Sequence, residues 1–460
     1  MIGFYGEELP PEVEAFIEKN NIGFIILFSR NTGSITGTAA LNNHIHSLGK
    51  ISPAIYTDQE GGLVVRFGEM AATVISAMGL AAAGDPRSAR TAGRIIGKEM
   101  NTIGIDGVLA PVLDVNFEEN NPVIGTRAFS DDPGTVISYA KEFASGLNDS
   151  GVSACGKHYP GHGGTTKDSH LVIPTSPVSP EYFSRYCFQP FAALAETGID
   201  AMMSSHVRFP QIAKEIATFS PYFIRDLLRE QAGFKGVIFS DCLEMKAVKD
   251  HFTPGKIALS CTAAGIDVLC PSHHLDFQEE LFRVLLFNAE KGIIPAKQID
   301  ESVGRVLKLK ERFNLMNKRK AADVVKAEKQ LRSSIAVERE IAGRSITLLR
   351  NRRNTIPVKK DKKCLIIEWQ QAKATTDSFD KATLSPLMET AKTYLPFVES
   401  IILTLGENCP VDLKAALPGY DYVIACPYSL NPKRAHEQGK VIKQILKNLA
   451  IVSWKTKSYA

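Results

Sequence analysis

The sequence predicts an α/β chain in which a (β/α)8 TIM-like barrel is followed by a smaller α/β three-layer sandwich domain. Three observations lead there. At 460 residues the chain exceeds the usual size of one domain. Between residue 100 and about residue 275 one phrase recurs: an amphipathic helix, a glycine, then a short apolar run closing on polar residues. Near residue 317 this rhythm breaks, and a second set of apolar runs follows.

Ile2 to Phe4 reads as the remainder of a first strand, with NIGFIILFSRN and ISPAIYTDQEGG supplying the next two. The recurring phrase then gives TIGIDGVLAPVLD ending at Asp114, DSGVSACGKH ending at His158 and TGIDAMMSSH ending at His206. It continues with AGFKGVIFSD ending at Asp241 and AAGIDVLCPS ending at Ser272. The glycine supplies a left-handed helix cap, and a continuous apolar run suits a strand buried on both faces. Seven or eight such units make either a closed barrel or an open doubly wound sheet. The barrel is preferred because Asp58, Asp114, His158, His206 and Asp241 fall at the C-terminal ends of different strands, where barrel enzymes place their chemistry. Residues 1–317 are assigned to the barrel, 318–335 to a linker helix and 336–460 to the sandwich. The sandwich strands are SITLLR, CLIIEW, SIILTLG, YVIACPY and AIVSWK, alternating with the helices SPLMETAKTYL and GKVIKQILKNL.

Hydrophobic residues at 44% and charged residues at 23% are ordinary globular values, which excludes a disordered or fibrous chain. The net charge of +4 is small, and the one basic run, Arg352 to Lys363, contains Pro357 and Asp361 and reads as a solvated turn. Nucleic acid is therefore not an expected partner, nor is a membrane, because no stretch reaches spanning length. Eight cysteines without a CxxC pair suggest reduced thiols and a cytoplasmic enzyme, or a secreted one if a leader had been trimmed.

The segment from Lys157 to His170 holds three histidines, an aspartate and three glycines directly after a predicted strand. Such a loop admits three readings. It is a polar surface loop, a zinc site built from His158, His162, Asp168 and His170, or an acid/base device in which Asp168 orients His170. The third is favoured, and the spacing matches no standard metal motif. Asp241 ends an apolar strand and is either a rigidly held nucleophile or a helix cap. Glu244 is a weaker candidate. Asp58 with Arg66, and Arg127 in GTRAF, are suited to charge-assisted bonds with sugar hydroxyls or to ion pairs with neighbouring acids.

Together these pieces closely resemble family 3 glycoside hydrolases of the β-N-acetylglucosaminidase subgroup. The matching motifs are TDQEGG-x-V-x-RF, APVLDV, IGTRAF, KHYPGHGGTTKDSH and SDCLEM, in the family's order. Leu63 departs from the pattern, standing where a basic residue is usual. The resemblance implies that Asp241 attacks the anomeric carbon, that His170 paired with Asp168 is the acid/base, and that Asp58, Arg66, Arg127, Lys157 and His158 line the subsite for the terminal sugar. It implies a retaining exo-β-N-acetylglucosaminidase acting on peptidoglycan- or chitin-derived glycans through a covalent glycosyl-enzyme. Because a spent histidine is neutral, phosphate is open as an acceptor beside water. A metal-dependent hydrolase and a silent sugar-binding protein are the competing expectations. No cofactor is expected, and the chain is expected to be a monomer or a homodimer with a carbohydrate as its substrate.

Overall fold

The computed structural model describes residues 1–72, 74–167, 172–317, 322, 334–349, 351, 356–370, 387–404, 417–426 and 451–453. Contacts divide the chain into two units, Met1–Ile346 and Thr347–Ala460.

The first unit is built on a curled parallel sheet of seven strands. In chain order these are β1 (Phe24–Leu27), β2 (Ala54–Thr57), β5 (Gly107–Val108), β6 (Ser153–Tyr159), β7 (Ala201–Ser204), β8 (Val237–Cys242) and β9 (Val268–Cys270). A small antiparallel hairpin, β3 (Gln59–Gly61) and β4 (Val64–Val65), stands apart from them. Each strand lies beside the next one in sequence, with helices in between, which is the arrangement that successive right-handed βα crossovers produce. Residues 1–4 touch both ends of this sheet. Ile2 N–H donates to Phe24 O and Ile26 N–H to Ile2 O, at 3.0 and 2.8 Å, while the Met1 nitrogen donates to Leu269 O at 2.6 Å.

The apolar runs form strands because both of their faces are buried. Phe24, Ile26, Tyr56, Met203 and Phe239 point to the inside of the curl, and Ile25, Leu27, Ile55, Met202 and Ile238 to the layer beneath the helices. Inside, the Phe24 and Phe239 rings meet edge to face at 5.2 Å, and Tyr56 lies 5.4 Å from Phe239. Gly107 is required by this packing: a Cβ there would lie 2.1 Å from the Tyr56 ring.

One device recurs at the N-terminal ends of the strands. Asp106, Asp200 and Asp267, each immediately before a strand, accept the backbone N–H of the second residue of the preceding strand. The bonds run from Ile55, Ala154 and Ile238 at 2.7, 3.0 and 2.8 Å. The Asp106 and Asp200 carbonyls accept in turn from Ser153 and Val237, the first residues of the following strands. Two residues before each aspartate a glycine turns left-handed, with φ of +89° at Gly104, +73° at Gly198 and +103° at Gly265.

The second unit carries a four-stranded parallel sheet in the order β11 (Val398–Thr404), β10 (Cys364–Gln370), β12 (Tyr422–Cys426), β13 (Ile451–Ser453), and the helix Leu387–Tyr394. These strands fall on four of the five predicted runs. The fifth, SITLLR, is corrected: residues 346–349 form no strand, and Ile346, Leu348 and Leu349 are exposed. The helix GKVIKQILKNL lies outside the described residues, as do 318–321 and 323–333 of the linker. The helix Ile335–Ser345 groups with the first unit, where Ile341 is buried and Arg344 donates to Ser88 Oγ at 2.9 Å. Among the described residues no helix is long and apolar enough to cross a membrane, and the seven described cysteines are free thiols.

Candidate active site

Side chains at and beyond the C-terminal ends of three strands, β2, β5 and β6, converge into one chain of alternating charge. Asp58 follows β2, and Glu60, two residues on, shares its face of the extended backbone. Arg66 Nη2 lies 3.0 Å from Asp58 Oδ2. Lys157 Nζ, from β6, lies 2.6 Å from both Asp58 Oδ1 and Glu60 Oε1. Arg127, in the short helical turn Gly125–Arg127, clasps Glu60 in a fork, with Nη2–Oε1 at 2.7 Å and Nε–Oε2 at 2.8 Å. The same Nη2 reaches His158 Nε2 at 3.2 Å, and His158 Nδ1 reaches Asp114 Oδ2 at 2.6 Å. Asp114 Oδ1 also accepts the His162 backbone N–H.

The tautomer of His158 follows from its partners. A guanidinium can only donate, so Nε2 must accept, and the ring proton sits on Nδ1 and is donated to Asp114. With both ring nitrogens engaged in this way, His158 has no lone pair left for a metal. The zinc reading thereby loses one of its four ligands, and among the described residues no group of three His, Cys, Asp or Glu is arranged to hold a metal ion.

Burial would raise the acids and lower the bases, yet the pairing overrides it. Burial pushes Asp58 up, but Lys157 and Arg66 outweigh it and hold the carboxyl well below the usual range. Glu60 is held down to about 2, where burial is overcome by Arg127 and Lys157. The Lys157 and Arg127 cations are raised by the same partners against their own desolvation. Asp114 stays low because His158 and His162 outweigh its burial. His162 goes the other way: burial drives it to about 4 although Asp114 and Asp241 pull upward, so it is neutral at pH 7. The Asp241 charge is therefore felt within this cluster.

Two of the strands that aim candidate site residues, β6 and β8, carry an irregularity where they do so. In β6 the step from Gly156 to Tyr159 matches Met202 to Ser204, and in β8 the step from Phe239 to Cys242 matches Val268 to Cys270. The additional residue in each re-aims Lys157 and His158 in one strand and Asp241 in the other. The Lys157–His158 peptide is cis. Asp241 Oδ1 accepts the Cys242 N–H at 2.7 Å.

Asp58, Arg66, Arg127, Lys157 and His158 thus stand together, and Asp241 is the penultimate residue of β8. Asp168 and His170 lie outside the described residues. Glu60 belongs to the network and was not among the predicted site residues. Its signal was present in the alternation Asp58-Gln59-Glu60, which places both carboxylates on one face. Two other candidates serve as supports. Glu244 is turned to the segment after β9, accepting the N–H groups of His273 and His274 and the His274 ring. His206 is fully buried and spans Thr218 Oγ1 and the Cys242 carbonyl, at 2.9 and 3.0 Å. A carbonyl only accepts, so its Nε2 carries a proton.

A family model described as the glycosyl hydrolase family 3 N-terminal domain matches residues 7–309. The beta-hexosaminidase of Xanthomonas euvesicatoria pv. vesicatoria is 36% identical over 282 residues, which are 59% of this chain and 83% of that one. That of Alkalilimnicola ehrlichii is 36% identical over 281 residues, 60% of this chain and 80% of its own. Among solved structures, a glycoside hydrolase family 3 beta-N-acetylglucosaminidase from Paenibacillus sp. str. FPU-7 superposes with a TM-score of 0.86 at 29% identity, covering 98% of this chain and 88% of that one. A fungal multi-domain GH3 beta-N-acetylglucosaminidase gives a TM-score of 0.90 at 30% identity over 98% of this chain, which spans about half (54%) of the fungal one.

Proposed function

This chain belongs to glycosyl hydrolase family 3 and is a glycoside hydrolase, and from that premise we propose that it is a retaining exo-β-N-acetylglucosaminidase. The observation that carries the proposal is the buried network of Asp58, Lys157, Glu60, Arg127, His158 and Asp114 lying within the field of Asp241. Its donors are fixed in direction and, with Arg66 on Asp58, its three carboxylates are matched by three cations, which suits orientation of the hydroxyls of a single terminal sugar. The beta-hexosaminidase relatives support the hydrolysed sugar being an N-acetylhexosamine, and peptidoglycan- or chitin-derived glycans are its proposed source. The proposed frame is a closed (β/α)8 barrel with residues 1–4 as the eighth strand.

In the first step an Asp241 oxygen attacks the anomeric carbon as the glycosidic C–O bond breaks, and the leaving oxygen takes a proton from His170. A covalent ester results. In the second step His170, now neutral, takes a proton from water while that water's oxygen displaces Asp241, returning both groups to their starting states. Asp168 holds the imidazole in the tautomer that serves both steps. Arg127 and Lys157 keep Glu60 and Asp58 ionised, so that these carboxylates accept bonds from sugar hydroxyls.

The test is turnover of an aryl β-N-acetylglucosaminide with and without phosphate. Asp241→Ala should abolish it while the circular-dichroism spectrum and melting temperature stay those of the parent. Activity retained in that variant would refute the assignment, and dependence on phosphate would replace water as the acceptor.

A further inference from the structure

An exo-acting site encloses one terminal sugar, so the rest of the glycan has to leave through the mouth. Beside the mouth lies a ledge of three aromatic rings that the catalytic network does not use. Phe117 stands three residues beyond Asp114. Tyr182 and Tyr186 lie one turn apart on the helical residues 180–195, stacked with ring centres 4.1 Å apart and planes 14° apart. Phe117 meets them edge-on at 5.0 and 5.7 Å, and the Arg185 guanidinium lies 5.3 Å from the Tyr186 ring centre. The cluster lies at the edge of the core, against which Phe117 and Tyr186 pack in part. On the same helix Phe183, Cys187 and Phe188 supply the buried face, whereas Tyr182 is 38% exposed and Phe117 and Tyr186 are half-buried.

The ledge is continuous with the site. A Cβ on Gly164 would lie 2.2 Å from Phe117 Cζ, and one on Gly163 1.8 Å from Val115 O, so this glycine turn is pressed flat against the chain that carries Phe117. Glu118 N–H donates to Gly163 O at 3.3 Å and Asn121 Nδ2 to His162 O at 2.9 Å. From His162 the next bond is to Asp114, inside the network.

Resting on the exo reading above, we propose that Phe117, Tyr182 and Tyr186 form a leaving-group subsite for the next pyranose ring of a β-linked glycan. One face of such a ring is lined with C–H groups and packs on an aromatic plane, while its hydroxyls stay at the rim in water. Aromatic rings offer that area at small conformational cost, and the Tyr hydroxyls supply a polar edge. Ring stacking tolerates different substituents, so the ledge recognises a following sugar by its shape.

The experiment compares two substrates on the full chain: β-N-acetylglucosaminyl azide, whose leaving group is too small to reach the ledge, and tri-N-acetylchitotriose. In Tyr182→Ala, and in Tyr182→Ala combined with Tyr186→Leu, the ratio of kcat/KM for the trisaccharide to that for the azide should fall three- to tenfold, carried by KM. Tyr182→Phe should restore most of the ratio. An unchanged ratio overturns the proposal, and so does an equal loss on both substrates, which would make the rings a prop for the Gly163–Gly164 turn. If the parent chain turns over neither substrate, the exo reading itself fails and the subsite goes with it.

Discussion

Glu60 offers the sharpest test of the buried network, because Glu60→Gln changes charge with almost no change in shape. The carboxylate receives Lys157 Nζ at 2.6 Å and a two-pronged Arg127 at 2.7 and 2.8 Å, all at sites largely closed to water. Its folded pKa of about 2 stands against an ordinary 4.5. A depression of that size is worth about 3 kcal/mol at neutral pH. Because the folded pKa is the lower one, the contribution is fully present above pH 4.5 and is lost as pH falls toward 2. At pH 3 about 1.5 kcal/mol of it should remain. Urea unfolding of parent and variant at a series of pH values measures the difference directly. The expected result is a gap of about 3 kcal/mol at pH 7 that narrows as the solution is acidified. As a control, Glu14→Gln removes an exposed partner of His44 and should shift stability by no more than about 0.5 kcal/mol. A Glu60→Gln variant as stable as its parent at pH 7, or a gap that stays constant down to pH 3, would refute the account.

Three further expectations follow from the same geometry. His162 has a folded pKa of about 4, below its ordinary 6.5, so the parent should lose stability as pH falls between those values; in His162→Gln that part of the acid limb should flatten, by urea midpoints at pH 7, 5.5 and 4.5. Gly107→Ala drives a Cβ to within 2.1 Å of the Tyr56 ring and should cost about 1–3 kcal/mol or more, read as a lowered melting temperature. Asp267→Asn strips the charge facing Arg229 and Arg305 and weakens the bond to Ile238 N–H; a loss of about 3–5 kcal/mol is expected, and a calorimetric change below about 1 kcal/mol would show that the pairing contributes little.

The parallel sheet was legible because its strands are buried on both faces and leave continuous apolar runs such as FIIL and VIF. The strand at TIGIDGVLAPVLD was read as longer than the paired span. Only Gly107 and Val108 pair as a strand, since Pro111 has no N–H to give, yet the chain stays bonded to β6 through the Ala110 and Pro111 carbonyls, which accept from Cys155 and Lys157. SITLLR has the composition of a strand, but composition does not say whether a neighbour exists to pair with it. In the site, Asp58, Arg66, Arg127, Lys157 and His158 came together as motif residues, whereas a position at a strand end said little about His206. The sequence shows that a histidine stands there, and not that Thr218 and the Cys242 carbonyl occupy both of its nitrogens. Glu60 went unselected for the opposite reason. An acid next to a recognised acid looks redundant until Arg127, 67 residues away in sequence, is seen to grip it.

The three aspartates before β5, β7 and β9 divide labour between the two rims of the sheet. Asp106 touches β2, β5 and β6, Asp200 touches β6, β7 and β8, and Asp267 touches β8, β9 and the helix Ala296–Arg312. Through side chains and carbonyls these three residues thus form an almost continuous belt at one end of the sheet, opposite the candidate site. Such a belt makes the two rims unequal in their tolerance of substitution. Loops on the chemical side can lengthen, shorten or exchange residues and leave the strand register untouched, whereas a change at any one buckle is felt across three neighbouring elements.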